Sequence, residues 1–199
     1  MPAPKIMIIR HAEKPITTSE GEFLGVTING IQNQDSLIIQ GWRRAGGLVS
    51  LFKPANGQFQ NSDLATPQFL FATSTSAEGG NRPEETIIPL QLQLNLTPTL
   101  FPDSQSEEVA TAAMACSGVA LICWPHGQIP NVTAAIPVDT NPFTPGWGWP
   151  GTRFDMVFVF DLDTSTGKYT FNQVPQLLLS GDSSAPIPID TKKQKQPIS

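Results

Sequence analysis

Four short apolar runs, set far apart along the chain, constrain the fold most strongly. They are Lys5–Ile9 (KIMII), Gln68–Ala72 (QFLFA), Gly118–Trp124 (GVALICW) and Phe154–Leu162 (FDMVFVFDL). A continuous apolar run of this length is typical of a strand buried on both faces of a sheet. A turn at 163–167 follows the fourth run, and Tyr169–Leu179 is predicted to return antiparallel to it.

The segments between these runs have features of helices. Apolar residues recur at helical spacing through 37–52, at Trp42, Ala45, Leu48, Val49 and Phe52. Pro83-Glu84-Glu85 suits a first helical turn, and Pro89 is expected to kink or shorten that helix. Ser104 and Glu107 have the spacing of a capping box opening a helix through about Cys116, and a short helix is expected near Ile129–Ile136.

Strands that alternate with helices predict an α/β protein, here a three-layer α/β/α sandwich with a mainly parallel central sheet. A chain of 199 residues fits one domain, which we place at 1–182, with a flexible tail at 183–199. The polar, glycine-bearing stretch Glu13–Ser36 has no strong periodicity and is predicted to be a long functional loop.

The composition limits the possible binding partners and the cellular compartment. The net charge of −5 disfavours nucleic-acid binding through a basic face, and the basic cluster Lys192, Lys193 and Lys195 is interpreted as a solvated end. The apolar runs are too short to span a membrane, and the N-terminus does not resemble a signal peptide. We therefore expect a soluble cytoplasmic protein without a membrane partner. Cys116 and Cys123 lack a ligand-like cluster and are interpreted as small buried side chains.

The chain has two histidines, and each stands directly beyond the carboxyl end of a predicted strand. His11 follows Lys5–Ile9 and Arg10, and His126 follows Gly118–Trp124. Ligands of an open parallel sheet bind at this edge, so the two histidines share a cleft if their strands are neighbours. Arg82 follows the strand Gln68–Ala72 and stands at a helix start, which favours anions. Arginine forks and imidazoles together predict a phosphate pocket with a histidine nucleophile.

These residues resemble the motifs of the histidine phosphatase superfamily, which has the phosphoglycerate mutase-like fold. The resemblance covers about residues 5–182 and consists of four motifs in the family's order. They are Ile8-Ile-Arg-His-Ala-Glu-Lys-Pro15, Leu37-Ile-Ile-Gln-Gly-Trp-Arg-Arg-Ala45, Arg82-Pro-Glu-Glu-Thr86 and Ala120–Gly127 (ALICWPHG). The motifs are specific for the superfamily and not for a substrate.

The resemblance implies phosphoryl transfer through a phosphohistidine, with no metal or other cofactor. His11 is the expected nucleophile, while Arg10, Arg82 and His126 are expected to hold the phosphoryl oxygens. The implied substrate is a small phosphomonoester or a phosphorylated protein side chain. The substrate itself and the oligomeric state stay open.

The resemblance does not identify a general acid. Gly127 and Gln128 follow His126, where some members have a carboxylate. Asp103 and Glu107 remain as possible acids, although Ser104–Glu108 also suits a helix cap. Glu13 could contact substrate, or pair with Lys14 or an arginine. Arg43 and Arg44 are interpreted as a solvated helix face.

Three other functions remain open. A phosphatase of phosphohistidine proteins would move phosphate between imidazoles and would need little help from an acid. A phosphoglycerate mutase would depend on a bisphosphorylated sugar-acid cofactor. A phosphate-binding or regulatory module would bind phosphate tightly without hydrolysing it, which the lack of an evident acid would explain.

Overall fold

The structure, a computed structural model, describes residues 2–19, 21–74 and 80–189. Its centre is a six-stranded sheet of order β5-β4-β6-β1-β7-β8. The strands are β1 (Lys5–Arg10), β4 (Phe69–Thr73), β5 (Thr99–Phe101), β6 (Ala120–Trp124), β7 (Met156–Asp163) and β8 (Lys168–Pro175), and a separate hairpin consists of β2 (Ile16–Thr18) and β3 (Gly21–Phe23). The helices are α1 (Ile39–Phe52), α2 (Arg82–Leu94), α3 (Ser106–Met114) and α4 (Ile129–Ala135).

The sheet is mainly parallel, as predicted. The pairs β5–β4, β4–β6 and β6–β1 are parallel, whereas β7 runs antiparallel to β1 and β8 antiparallel to β7. All five residues of β6 are buried, and so are five of the six in β1, because these central strands are covered on both faces. Their register pairs Ile8 with Ile122 and Arg10 with Trp124, so both strands end at the same edge.

Helices cover both faces of the sheet and complete the three-layer α/β/α sandwich. Side chains alternate along β1, with Ile6 and Ile8 in one apolar core and Met7 and Ile9 in the other. The first core contains residues of α3 and α4, and the second contains residues of α1 and α2. The predicted fold class is therefore confirmed.

The first four predicted strands lie within two residues of the observed ones, but other local predictions were wrong. The capping box does not form: α3 begins at Ser106 after Gln105, and no side chain caps it. Ser104 lies in a turn closed by a hydrogen bond from Gln105 N to the Pro102 carbonyl oxygen, 3.0 Å. Pro89 does not shorten α2, which continues to Leu94.

The stretch from Glu13 to Ser36 is more ordered than predicted. It contains the β2–β3 hairpin, in which Ile16 pairs with Phe23. All six strand residues are exposed, so no apolar periodicity marks them in the sequence. The rest of the stretch is tied to the domain, since Trp42 Nε1 donates to the Val26 carbonyl oxygen at 2.7 Å.

Part of the segment predicted as a flexible tail packs against the domain. Ile187 is buried, and its backbone N–H donates to Gln173 Oε1 at 2.7 Å. Thr144 N donates to the Ile189 carbonyl oxygen at 3.1 Å. Residues 183–189 therefore belong to the folded unit, because they extend the contacts of β8. Lys192, Lys193 and Lys195 lie outside the described residues.

Within the described ranges, none of the helices combines the length and apolar character needed to cross a bilayer.

Two glycines of α1 provide a test of how the helix packs. A Cβ on Gly41 would lie 2.5 Å from the Glu13 backbone oxygen, whereas a Cβ on Gly46 would meet nothing within 4 Å. We expect Gly41→Ala to lower the free energy of unfolding by about 1–3 kcal/mol through overpacking. Gly46→Ala should raise it by about 0.5–1 kcal/mol, because alanine is the better helix former.

Urea unfolding of the two variants beside wild type measures both effects. Equal effects of the two substitutions would contradict the close approach of α1 to the segment after His11.

Candidate active site

The two histidines meet at one edge of the sheet, because β1 and β6 are adjacent parallel strands. The ring centroids of His11 and His126 are 6.4 Å apart, in an edge-to-face arrangement. Both line a pocket of about 190 Å³. The other lining residues are Lys14, Arg82, Pro125, Gly127 and Gln128. The structure thus brings His11, His126 and Arg82 together at one pocket.

His11 is held as a neutral imidazole with a defined tautomer. Its Nδ1 lies 2.7 Å from the Ala12 carbonyl oxygen, which can only accept a hydrogen bond. Burial, followed by the charge of Arg10, lowers the pKa of His11 well below its usual value. Because the neutral ring then carries its proton on Nδ1, the lone pair of Nε2 is available for nucleophilic attack.

Arg10 is buried beside His11, and hydrogen bonds hold one nitrogen of its guanidinium group. Its Nη1 donates to the carbonyl oxygens of Gly151 at 2.7 Å and Arg153 at 3.1 Å, and its guanidinium carbon lies 3.9 Å from the centroid of the Phe154 ring. Burial lowers its pKa to about 9, so the group remains a cation at neutral pH. Nε and Nη2 are buried and have no hydrogen-bond partner among the described residues. Unpaired donors of this kind are costly unless a ligand accepts from them.

Arg82 is the first residue of α2 and approaches the pocket from β4's side. Its Nη1 donates to the Gln34 carbonyl oxygen at 3.4 Å, while its Nε is buried without a partner in the part of the chain that is described. Burial lowers its pKa. The N-terminal end of α2 adds the positive pole of the helix dipole, so the charge here suits an anion.

His126 lies near the cations Arg10 and Lys14. Burial, then the charges of Arg10 and Lys14, lowers the pKa of His126 to about 4. The ring is therefore neutral at pH 7, and only an anion placed beside it would favour its protonation.

The predicted acid or substrate contact Glu13 is paired with a buried arginine. Glu13 Oε1 accepts from Arg44 Nη2 at 2.8 Å and Nε at 3.0 Å, and Arg44 also donates to Asp182 at 2.7 Å. The interpretation of Arg44 as a solvated residue was wrong, because it is only 3% exposed. A partner 138 residues away could not be found from the sequence pattern.

The other predicted acids are not among the described residues that line the pocket. Asp103 follows β5, the edge strand, and Glu107 is exposed on α3. Two strand spacings, about 10 Å, separate β5 from β6, since neighbouring strands lie about 4.8 Å apart.

Several features of the site were not predicted. Lys14 lines the pocket, although only the family motif drew attention to it. Phe154 stacks on Arg10 and lies 6.1 Å from the His11 ring, and no local signal distinguishes it from a strand residue. Trp147 and Trp149 do not line the pocket and pack on Phe158 in the core.

Within the described ranges, no three His, Cys, Asp or Glu side chains are grouped so that they could hold a metal ion.

Comparisons with known proteins give distant structural similarities. No protein-family model matches the chain, and no curated protein matches it. One similar solved structure is that of the protein histidine phosphatase SixA complexed with tungstate, at 16% identity and a TM-score of 0.47, covering 86% of this chain and 97% of that one. Another is mycobacterial hydrolase 2, at 10% identity and a TM-score of 0.46, covering 98% and 96% respectively.

The lowered histidine pKa values predict an acid-sensitive fold. The unfolded chain binds protons on His11 and His126 near pH 6.5, whereas the folded His126 binds one only near pH 4. Between these values the unfolded state holds more protons, so the free energy of unfolding falls as the pH falls. If inorganic phosphate binds beside His126, it should reduce this loss, because an anion there favours the protonated ring.

Urea unfolding between pH 7 and 4.5, with and without phosphate, measures the effect. His126→Gln serves as the control and should show a shallower pH dependence than wild type. Identical slopes for the two proteins would refute a lowered pKa at His126.

Proposed function

We propose that this chain is a member of the histidine phosphatase superfamily and hydrolyses a phosphate ester without a metal ion, through a phosphohistidine on His11. The observation that carries the proposal is the combination of a neutral His11, which has a free Nε2 lone pair, with buried guanidinium N–H groups of Arg10 and Arg82 that lack partners among the described residues. Such an arrangement suits a tetrahedral anion beside a nucleophile.

The first step transfers the phosphoryl group to the protein. The lone pair of His11 Nε2 forms the N–P bond, and the bond from phosphorus to the leaving oxygen breaks in line with it. The leaving oxygen takes the electron pair and is protonated by water or an acid. Arg10, Arg82 and His126 hold the remaining phosphoryl oxygens, and their fixed positions stabilise the charge in the transition state.

The second step returns His11 to its starting state. A water molecule attacks phosphorus, the N–P bond breaks, and its electron pair returns to Nε2. Inorganic phosphate leaves with the oxygen of that water. No electrons are transferred, so the cycle needs only the ester and water.

The charge of the pocket supports a phosphorylated substrate. His11, His126, Arg82 and Lys14 make the lining basic or neutral, which suits a dianionic phosphate group. Lys14 is exposed at the pocket and adds a cation that can neutralise charge on the leaving group. A small phosphorylated molecule or a phosphorylated protein side chain fits these requirements.

Hydrolysis of an aryl phosphate between pH 4 and 8, in the presence of a chelator, tests the proposal. We expect wild type to turn over and His11→Ala to lose activity by about 10³-fold or more, because the nucleophile is absent. Rapid quenching of wild type under alkaline conditions should trap an acid-labile phosphoryl group, detected by ³¹P NMR. Arg43→Met removes an exposed cation of α1 and should change kcat by no more than about twofold.

Equal hydrolysis by wild type and His11→Ala would contradict the proposal. Calorimetric titration with inorganic phosphate then identifies the alternative: tight binding without turnover is the behaviour of a phosphate-binding module.

A further inference from the structure

A buried ion-pair network connects the segment after His11 with the C-terminal part of the chain. Arg44 donates to both oxygens of Glu13, at 3.0 and 3.2 Å from Nε, and to both oxygens of Asp182, at 3.1 and 2.7 Å. Its Nη1 also donates to Gln176 Oε1 at 3.0 Å. Asp182 Oδ2 accepts in addition from the backbone N–H of Leu178 at 2.8 Å.

The strength of this network is seen in the pKa of Asp182. Burial acts to raise that pKa, but hydrogen bonds from Arg44 and from backbone N–H groups outweigh burial and hold the pKa below its usual value. Asp182 is therefore ionised at neutral pH and fixes Arg44 against Glu13.

Glu13 is linked to the tautomer of His11 by a single peptide unit. The carbonyl oxygen that accepts from His11 Nδ1 belongs to Ala12, and its peptide plane includes the Glu13 nitrogen. The same segment is held by Thr86 Oγ1, which accepts from Ala12 N at 2.8 Å, and by the Glu13 carbonyl, which accepts from Ile38 N at 3.1 Å. The ion pair of Glu13 with Arg44 therefore acts together with these two hydrogen bonds in holding the segment whose carbonyl accepts from His11 Nδ1.

A second hydrogen-bond network connects Arg10 with residues 153–155 and 183–185. Asp155 Oδ1 accepts from Arg153 Nε at 2.7 Å, and Oδ2 accepts from Ser183 N at 2.6 Å. Arg153 Nη2 donates to the Ala185 carbonyl oxygen at 2.8 Å. The carbonyl of Arg153 is one of those that accept from Arg10 Nη1.

We propose that Asp182 and Asp155 are positioning residues of the anion site, Asp182 acting on His11 through Arg44 and Glu13, and Asp155 acting on Arg10 through Arg153. The inference rests on the proposed function of this site. The inference gives residues 182–185 a supporting role toward both His11, the nucleophile, and Arg10, the phosphate-binding arginine. Neither aspartate lines the pocket, so each acts through its arginine.

The two halves of the proposal predict different losses. In Asp182→Asn, the His11 ring should no longer be held in one tautomer, and kcat for an aryl phosphate should fall by about 10- to 100-fold, because small misplacements of a reacting group are costly. Its dissociation constant for inorganic phosphate should stay within about threefold of wild type. In Asp155→Asn, that dissociation constant should rise about tenfold, since Arg10 loses its support, while the tautomer of His11 stays as in wild type.

The control is Asp161→Asn. Asp161 pairs with Lys5 at 2.5 Å, at the opposite end of β1 from His11, so its loss removes an ion pair without touching the site. All variants are compared at a temperature at which circular dichroism shows each to be folded. Arg44→Lys provides a second variant, because it keeps the charge but loses the fork that joins the two carboxylates.

Two-bond ¹H–¹⁵N NMR spectra at pH 7 report the tautomer directly, and the two histidines of the chain are assigned with His126→Gln. Wild-type tautomer and kcat in folded Asp182→Asn and Arg44→Lys would overturn the first half. An unchanged phosphate affinity in Asp155→Asn would overturn the second. Equal losses of kcat and phosphate affinity in Asp161→Asn would show that these effects come from reduced stability, and would overturn both halves.

The failure of the proposed function has a different signature. If wild type binds inorganic phosphate without hydrolysing the aryl phosphate, the proposed function fails while the phosphate affinity of Asp155→Asn still decides the half concerning Asp155. If wild type does neither, that half fails as well. The tautomer of His11 still decides the half concerning Asp182.

Discussion

The parallel pairing of β1 with β6 is the interaction on which the rest of the site depends. Its register places Arg10 opposite Trp124, so that His11 and His126 leave the sheet at the same edge. Both strands are buried by helices on the two faces, which makes a slip of one residue very costly, since every apolar side chain would change faces. The packing of the two apolar cores therefore fixes the strand register, and with it the separation of the two imidazole rings.

The site brings cationic side chains together, and the nearby carboxylates of Glu13 and Glu85 form hydrogen bonds with other residues. Glu13, the nearest acidic residue in sequence to His11, is turned to Arg44, and Glu85 accepts from Ser36 Oγ at 2.7 Å. Arg10 and Arg82 are left with buried donors that lack partners among the described residues. Both histidines are neutral as a result, because burial and nearby cations disfavour their protonated forms.

Much of the framework was predictable because burial leaves a local trace. Continuous apolar runs marked β1, β4, β6 and β7, and helical spacing marked α1. Features without such a trace were missed or misassigned. The exposed β2–β3 hairpin has no apolar pattern, and Ser104 has the residue type of a helix cap but lies in a turn. Residues 183–189 were predicted as part of a flexible tail, yet hydrogen bonds to β8 and to Asp155 hold them.

The sequence by itself determined where the strands end and which polar residues follow them, since these properties depend on residues that are neighbours in the chain. It thereby indicated His11, His126, Arg10 and Arg82 before their geometry was known. Only the tertiary structure decided what each of them contacts. The partners of Arg44 lie 31 and 138 residues away, and Arg10 bonds to carbonyls 141 and 143 residues away. Contacts over such distances depend on how the layers pack, and no local pattern of residues encodes them.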